Sequence, residues 1–167
     1  MKKLLILLFT SFSIAAVAQE STEPTYLRFP TIPPFELLSV DSATTITKAD
    51  LKKNQPLMLM FFSPDCDHCQ HQVQDLLKEM ESFKKIQIVM ATYQPFEMMK
   101  DFYKKYGLAT YSNIRVGRDT KYFLPPYYRM FNLPYLALYD KKGNLIRTFE
   151  GNQKVPVILK AFGKDED

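Results

Sequence analysis

The 167-residue chain has no tryptophan, only two cysteines and only two histidines, and each scarcity narrows what the protein can be. Cys66 and Cys69, with His68 and His71 beside them, form one short cluster. No second Cys/His pair exists to complete a structural zinc site, which usually takes two separated ligand pairs. Residue 70 is Gln rather than His, so the haem attachment motif is absent. A Cys-x-x-Cys bridge closes almost no chain loop, so a purely structural disulfide would stabilise little. Excess charge is scarce too: 22 basic against 18 acidic residues leave +4. That is too little to point to nucleic acid or an anionic membrane surface. There is no internal repeat and no sign of a second domain.

A long apolar run is also missing. Lys2 and Lys3 precede an apolar core that begins at Leu4, and Ala16-Val17-Ala18 matches a small-x-small cleavage site. Ser11, Ser13 and the small alanines cut the strongly apolar stretch below the roughly 20 residues of a spanning helix. Residues 1–18 are therefore expected to be a signal peptide, with cleavage before Gln19 and no lipoprotein cysteine after it. Losing Lys2 and Lys3 lowers the formal charge to about +2. Export, most simply to a periplasm, places both cysteines in a compartment where disulfides persist. The expected organisation is a flexible arm over 19–32, one domain over 33–163 and an acidic solubilising tail over 164–167.

The residues present then give the order of elements. Residues 33–40 and 44–47 read as two strands of a hairpin, with Asp41-Ser42 at its turn. Residues 48–53 suggest a single helical turn. The run Leu57 to Phe62 shows no alternation, as expected of a strand buried on both faces. Cys69, Val73, Leu76, Leu77, Met80 and Phe83 then fall at helical steps on one stripe, with Gln72, Asp75, Lys78 and Glu79 placed on the opposite side. Residues 86–91 form a further buried strand, and 96–106 a helix closed by Gly107. Strand, helix, strand, helix predicts a right-handed parallel crossover. Residues 135–139 and 145–149 predict a second hairpin, which makes the sheet mixed, and 155–162 a closing helix. Between them, 114–116 suggest a short strand, and 124–131 a short helix interrupted by Pro125-Pro126. With no tryptophan to pack, the aromatic run Tyr122 to Tyr128 serves either as core packing or as a docking surface.

Cys66-Asp67-His68-Cys69 thus sits where a buried strand turns into a helix. A helix N-terminus stabilises a thiolate, which marks a redox pair rather than an accidental one. Cys66 at the first turn is reachable by solvent, and Cys69 on the apolar stripe faces inward. Cys66 is the expected nucleophile and Cys69 the resolver of a mixed disulfide.

Three segments carry a family resemblance: Pro34-Phe35-Glu36-Leu37; Phe61-Phe62-Ser63-Pro64-Asp65-Cys66-Asp67-His68-Cys69; and Asn132-Leu133-Pro134-Tyr135 continuing to Gly143. Over about residues 33–163 the chain resembles the exported TlpA/ResA-like branch of the thioredoxin-like proteins. The resemblance implies an α/β thioredoxin-like fold, a central mixed sheet flanked by helices with an N-terminal β-hairpin extension. It also implies a cis proline at Pro134 beside the cysteines, and a neighbour, Leu133, that offers backbone groups to a substrate chain. Pro64 and Asp65 join Leu133 as expected substrate-contacting residues; Asp67, His68 and Pro134 are the expected supporting ones. The chain departs from the pattern at Asp65, where relatives carry tryptophan. It departs again at Met60, where thioredoxin has a buried acid, and at Gln72, where the ResA-like pattern has glutamate.

The expected activity is thiol–disulfide exchange with exported protein thiols or disulfides, by a monomer reset by a membrane or periplasmic redox partner. No cofactor, metal or nucleic acid is called for. The helix end and His68, a residue also found in the oxidase DsbA motif Cys-Pro-His-Cys, favour the oxidising direction. Asp65 and Asp67 oppose it, with screening at exposed sites, and the family resemblance favours a reductant. Asp65 has a simpler use as a helix cap, worth about 1 kcal/mol. The rival readings are a non-catalytic thioredoxin-like binding module and a copper-handling protein using the Cys/His cluster. A peroxidase would need Pro-x-x-x-Thr-x-x-Cys; the chain has Phe62-Ser63-Pro64-Asp65 before Cys66.

Overall fold

The computed structural model describes residues 23–163; the expected signal peptide and acidic tail lie outside the described residues. Among the described residues, five α-helices and seven strands follow one another. After the short α1 (Thr25–Arg28) come β1 (Glu36–Ser39), β2 (Thr45–Thr47) and β3 (Leu57–Phe61). Next are α2 (Asp67–Lys78), β4 (Gln87–Thr92), α3 (Phe96–Lys105), β5 (Ile114–Arg118) and α4 (Leu124–Tyr128). The chain closes with β6 (Tyr135–Tyr139), β7 (Leu145–Glu150) and α5 (Val155–Ala161).

All seven strands form one sheet in the order β2-β1-β5-β4-β3-β6-β7. The β3/β4 and β4/β5 pairs are parallel, joined by α2 and α3, and the other neighbours are antiparallel. This is the mixed sheet with an N-terminal hairpin read from the sequence. The hairpin turn is held by Asp41, whose Oδ1 accepts from the Ala43 and Thr44 amides at 2.9 and 2.8 Å. An Asx turn of this kind replaces backbone partners that the strands do not supply.

β3 owes its unbroken hydrophobicity to its place between β4 and β6. Met58 and Met60 enter one core, and Leu57, Leu59 and Phe61 the other. The first core lies under α2, α3 and α5 and contains Cys69, Val73, Leu76, Met99, Phe102 and Ile158. The second lies under α4 and is built from Leu124, Tyr127, Tyr128, Tyr135 and Tyr139 together with Phe35 and Leu37. The sheet register brings Phe61 level with both Ala91 and Tyr135. The carboxyl ends of β3 and β4 and the start of β6 therefore share one edge of the sheet.

Two local expectations are corrected. Residues 24–32, read as part of a loose arm, are fastened to the domain. Ile32 N donates to Gly143 O at 3.0 Å, Leu145 N donates to Pro30 O at 2.8 Å, and Thr31 bridges Asn144. Tyr26 packs its ring 5.6 Å from that of Tyr128, and the Tyr127 hydroxyl donates to Phe29 O at 3.1 Å. Aromatic rings scattered in a polar segment anchor it without leaving any period in the sequence.

The second correction concerns Pro125 and Pro126, which open α4 instead of interrupting it. First-turn amides have no intrahelical partner, so proline loses nothing there. The Asp119 carboxylate accepts from the Phe123 and Leu124 amides at 3.0 and 2.8 Å, organising that turn. The helix stops at Tyr128, ahead of the expected end at Phe131, where Arg129 turns left-handed with φ 52°.

Candidate active site

The two cysteines occupy unequal environments within one helical turn. Cys66 is the N-cap of α2, with extended backbone (φ −85°, ψ 116°), and its Sγ accepts from the Cys69 amide at 3.4 Å. The sulfur thus takes the place of a capping side chain at the amino end of the helix, bonding one of the first-turn amides that have no intrahelical partner. Cys66 is half-buried, whereas Cys69 is 0 % exposed among Phe62, Val73 and Leu76. Burial pushes the Cys69 thiol well above the ordinary thiol range, and its hydrogen bond with Cys66 adds to the effect. One sulfur is thus presented and the other protected in its neutral form.

The flanking residues are placed by short polar contacts. Cys66 N donates to Ser63 O at 3.2 Å, and the Ser63 hydroxyl donates to the Asp65 carboxylate. Asp65 does not cap α2, as one reading of the sequence had it; the chain turns so that the Cys66 sulfur takes the cap. Pro64 is buried, and its carbonyl accepts from Gln70 Nε2 at 2.9 Å. Gln70 Oε1 accepts in turn from Lys105 Nζ at 2.9 Å and the Tyr106 hydroxyl at 3.2 Å, tying the loop to α3. Asp67, His68 and His71 are exposed on the outer face of α2. Among the described residues, no group of three or more His, Cys, Asp or Glu side chains converges as metal ligands.

Pro134 is buried and its bond from Leu133 is cis. Because it immediately precedes β6, it reaches the same sheet edge as the loop from Phe62 to Cys66. Leu133 and Cys66 are both partly buried against the core that holds Cys69. The structure therefore gathers Pro64, Asp65, Cys66, Cys69, Leu133 and Pro134 at one end of the molecule, while Asp67 and His68 line the outer helix face.

Sequence reading placed Gln72 on the polar side of α2, and the structure corrects this. Gln72 is 0 % exposed, with Nε2 donating to Gln153 O at 3.0 Å and Oε1 accepting from Gln153 N at 2.6 Å. The signal was legible: 69, 72, 73 and 76 share one helical stripe, and position 72 is polar only by residue type. The aromatic run divides in two. Leu124, Tyr127 and Tyr128 are buried, while Tyr122 is exposed beside Tyr93, with ring centroids 5.2 Å apart. Tyr122, Phe123 and Tyr127 also line a groove of about 560 Å³ that includes neither cysteine.

Residues 30–162 match the AhpC/TSA family model, nearly the whole described domain. The chain belongs to the AhpC/TSA family. Solved structures agree with this redoxin on the fold. The pneumococcal exposed lipoprotein thioredoxin Etrx1 of Streptococcus pneumoniae is 26 % identical, with a TM-score of 0.60 over 77 % of this chain and 97 % of its own. StoA of Bacillus subtilis is 18 % identical, with a TM-score of 0.59 over 79 % and 98 %. A secreted Mycobacterium tuberculosis disulfide oxidoreductase, described as homologous to Escherichia coli DsbE, is 17 % identical, with a TM-score of 0.64 over 78 % and 95 %. No curated protein matches the chain. The AhpC/TSA match and these neighbours agree on a thioredoxin-like fold. Among its described residues, no helix is long and apolar enough to cross a membrane.

Proposed function

We propose that the protein is an exported thiol–disulfide oxidoreductase that reduces disulfides in exported proteins. The observation that carries this reading is the inequality of the two sulfurs: Cys66 at the helix cap and accessible, Cys69 buried with its thiol held neutral. The Cys66 thiolate attacks one sulfur of a substrate disulfide. The substrate S–S bond breaks, its leaving thiolate takes a proton, and a mixed disulfide forms. Cys69 then loses its proton and attacks Cys66 Sγ, releasing the second substrate thiol and closing the Cys66–Cys69 disulfide. Two electrons pass from the pair to the substrate, and an external dithiol partner at the membrane or in the periplasm returns them.

Asp65 and Leu133 contact the substrate chain in this scheme; Pro64, expected to join them, is buried with its carbonyl bonded to Gln70 and shapes the loop before Cys66 instead. Asp67, His68 and Pro134 support the pair. Support for export comes from the basic and apolar N-terminal segment ending at Ala18, and from neighbours described as exposed or secreted. The protein acts as a monomer.

The test is the reduction potential of the Cys66–Cys69 pair in the protein starting at Gln19, equilibrated against glutathione buffers. A value near about −270 mV supports the reductant, and one near −120 mV makes the protein a dithiol oxidase. A pair that stays oxidised below about −300 mV would be a structural disulfide, and the protein a binding module.

A further inference from the structure

The loop that follows β7 joins the cysteine helix to the segment around Pro134. On one side, the buried Gln72 amide makes both of its bonds to the main chain of a single residue, Gln153, and Asn152 Nδ2 adds a weaker contact to His68 O at 3.4 Å. On the other side, Gly151 N donates to Pro134 O at 2.9 Å. Glu150 Oε2 accepts from Asn132 N at 3.2 Å and Asn132 Nδ2 at 3.1 Å. Gly151, at φ 76°, lets the chain reverse tightly enough to serve both sides. Three consecutive residues, 151 to 153, thus span from α2 to the cis proline.

An amide on a buried helix stripe is costly unless both its donor and its acceptor are matched, about 1–3 kcal/mol for a group left unpaired. Gln72 is matched on both, and by backbone atoms that no side-chain change in the loop can remove. Gln70 makes the corresponding tie on the other flank of α2, to Pro64, Lys105 and Tyr106. The Gln70 tie holds the loop before Cys66. The Gln72 tie instead reaches, through Gly151, the residue beside Leu133.

We propose that Gln72 is a positioning residue that fixes the cysteine helix against the Leu133–Pro134 segment, and so sets how a polypeptide disulfide is aligned on Cys66. This inference rests on the exchange reading above. A small disulfide needs only the sulfur, because it has no chain to lay along Leu133. A polypeptide must satisfy both the sulfur and the backbone at once, so a helix free to shift against Pro134 penalises it selectively.

The test is Gln72→Met, which fills the same space on an apolar stripe and makes neither bond, assayed beside the unaltered protein. The substrates are oxidised insulin and the small aromatic disulfide dithionitrobenzoate. The expected result is a loss of about tenfold in kcat/KM toward insulin, the scale of one net hydrogen bond. The rate with dithionitrobenzoate stays within about twofold. Equal losses for both, or no loss for either, would overturn the assignment while leaving the exchange reading in place. An unaltered protein that reacts with neither substrate would overturn both. Amide hydrogen exchange in the unaltered protein gives an arm independent of any variant. The Gln153 amide is expected to be at least about 100-fold protected, and an unprotected Gln153 amide would remove the tie itself.

Discussion

The two faces of the sheet are built from different chemistry. Under the cysteine helix the buried side chains include Met58, Met60, Met80, Met90 and Met99 with aliphatic residues and phenylalanines. Under α4 they include Tyr127, Tyr128, Tyr135 and Tyr139. Thioethers fill space adaptably and offer almost nothing to a charge. Tyrosines pack as rigid plates whose hydroxyls demand partners. Those demands are met: the Tyr128 and Tyr139 hydroxyls bond each other, and Tyr127 donates to Phe29 O. The sulfur-rich face thus gives Cys69 a dry surrounding that keeps its thiol neutral, and the tyrosine face gives the sheet rigid backing. Chemistry and stability lie on opposite sides of β3.

The sharpest break in that comparison is at the cysteines. Cys66→Ser is expected to lower thiol–disulfide exchange by at least about 10³-fold, since no other group supplies the nucleophile. Its urea midpoint in the reduced form should stay close to that of the unaltered protein. Cys69→Ser should instead trap a mixed disulfide at Cys66, visible as a mass adduct with substrate. An adduct at residue 69 in the Cys66→Ser protein would reverse the assigned roles.

Substitution on the other face should do the opposite. Tyr128 is 1 % exposed and packs against Tyr26, Tyr127 and Tyr135, so Tyr128→Ala is expected to cost about 3–5 kcal/mol in urea unfolding. The reduction potential of the variant that still folds should not move. Tyr128→Phe strands the Tyr139 hydroxyl in the core and should cost about 1–3 kcal/mol, while changing both residues to Phe restores most of the loss. Met60→Leu, on the sulfur-rich face, should cost under about 1.5 kcal/mol because it conserves volume. If Tyr128→Phe shifts the potential, the two faces are coupled and the division fails.

The sequence made most of the element order legible because the sheet strands and the longer helices carry local patterns of their own. The unbroken run at 57–62 announces a central strand, and the stripe at 69, 73 and 76 announces which cysteine faces inward. The site was half legible for the same reason. Cys66, Cys69 and Pro134 are marked by local pattern and by resemblance. Gln72 and Gln153 lie 81 positions apart and are joined through backbone atoms, which no residue type announces. The arm at 24–32 and the start of α4 failed similarly. Tyr26 finds its partner at Tyr128, and Pro125 sits in the first turn of a helix whose opening amides are held by Asp119.

The smallest effect that distinguishes the faces is a pH dependence. In the folded protein burial raises the Cys69 thiol above its unfolded value, which is about 8.5. Below that pH both folded and unfolded chains hold the proton, and the stabilisation from burying a neutral thiol is fully present. As pH rises past it, the unfolded chain releases the proton and the folded one retains it, so stability falls, by less than about 1 kcal/mol at pH 9. Urea unfolding of Cys66→Ser against Cys66→Ser/Cys69→Ser at pH 7 and pH 9 isolates this single thiol. Tyr128, Tyr135 and Tyr139 are also raised by burial, but an unfolded tyrosine titrates near about 10. The tyrosine face therefore contributes its own loss only at higher pH. Between pH 8 and 9 the measurement reads the sulfur-rich face alone, and equal slopes for the two proteins there would mean that water reaches Cys69.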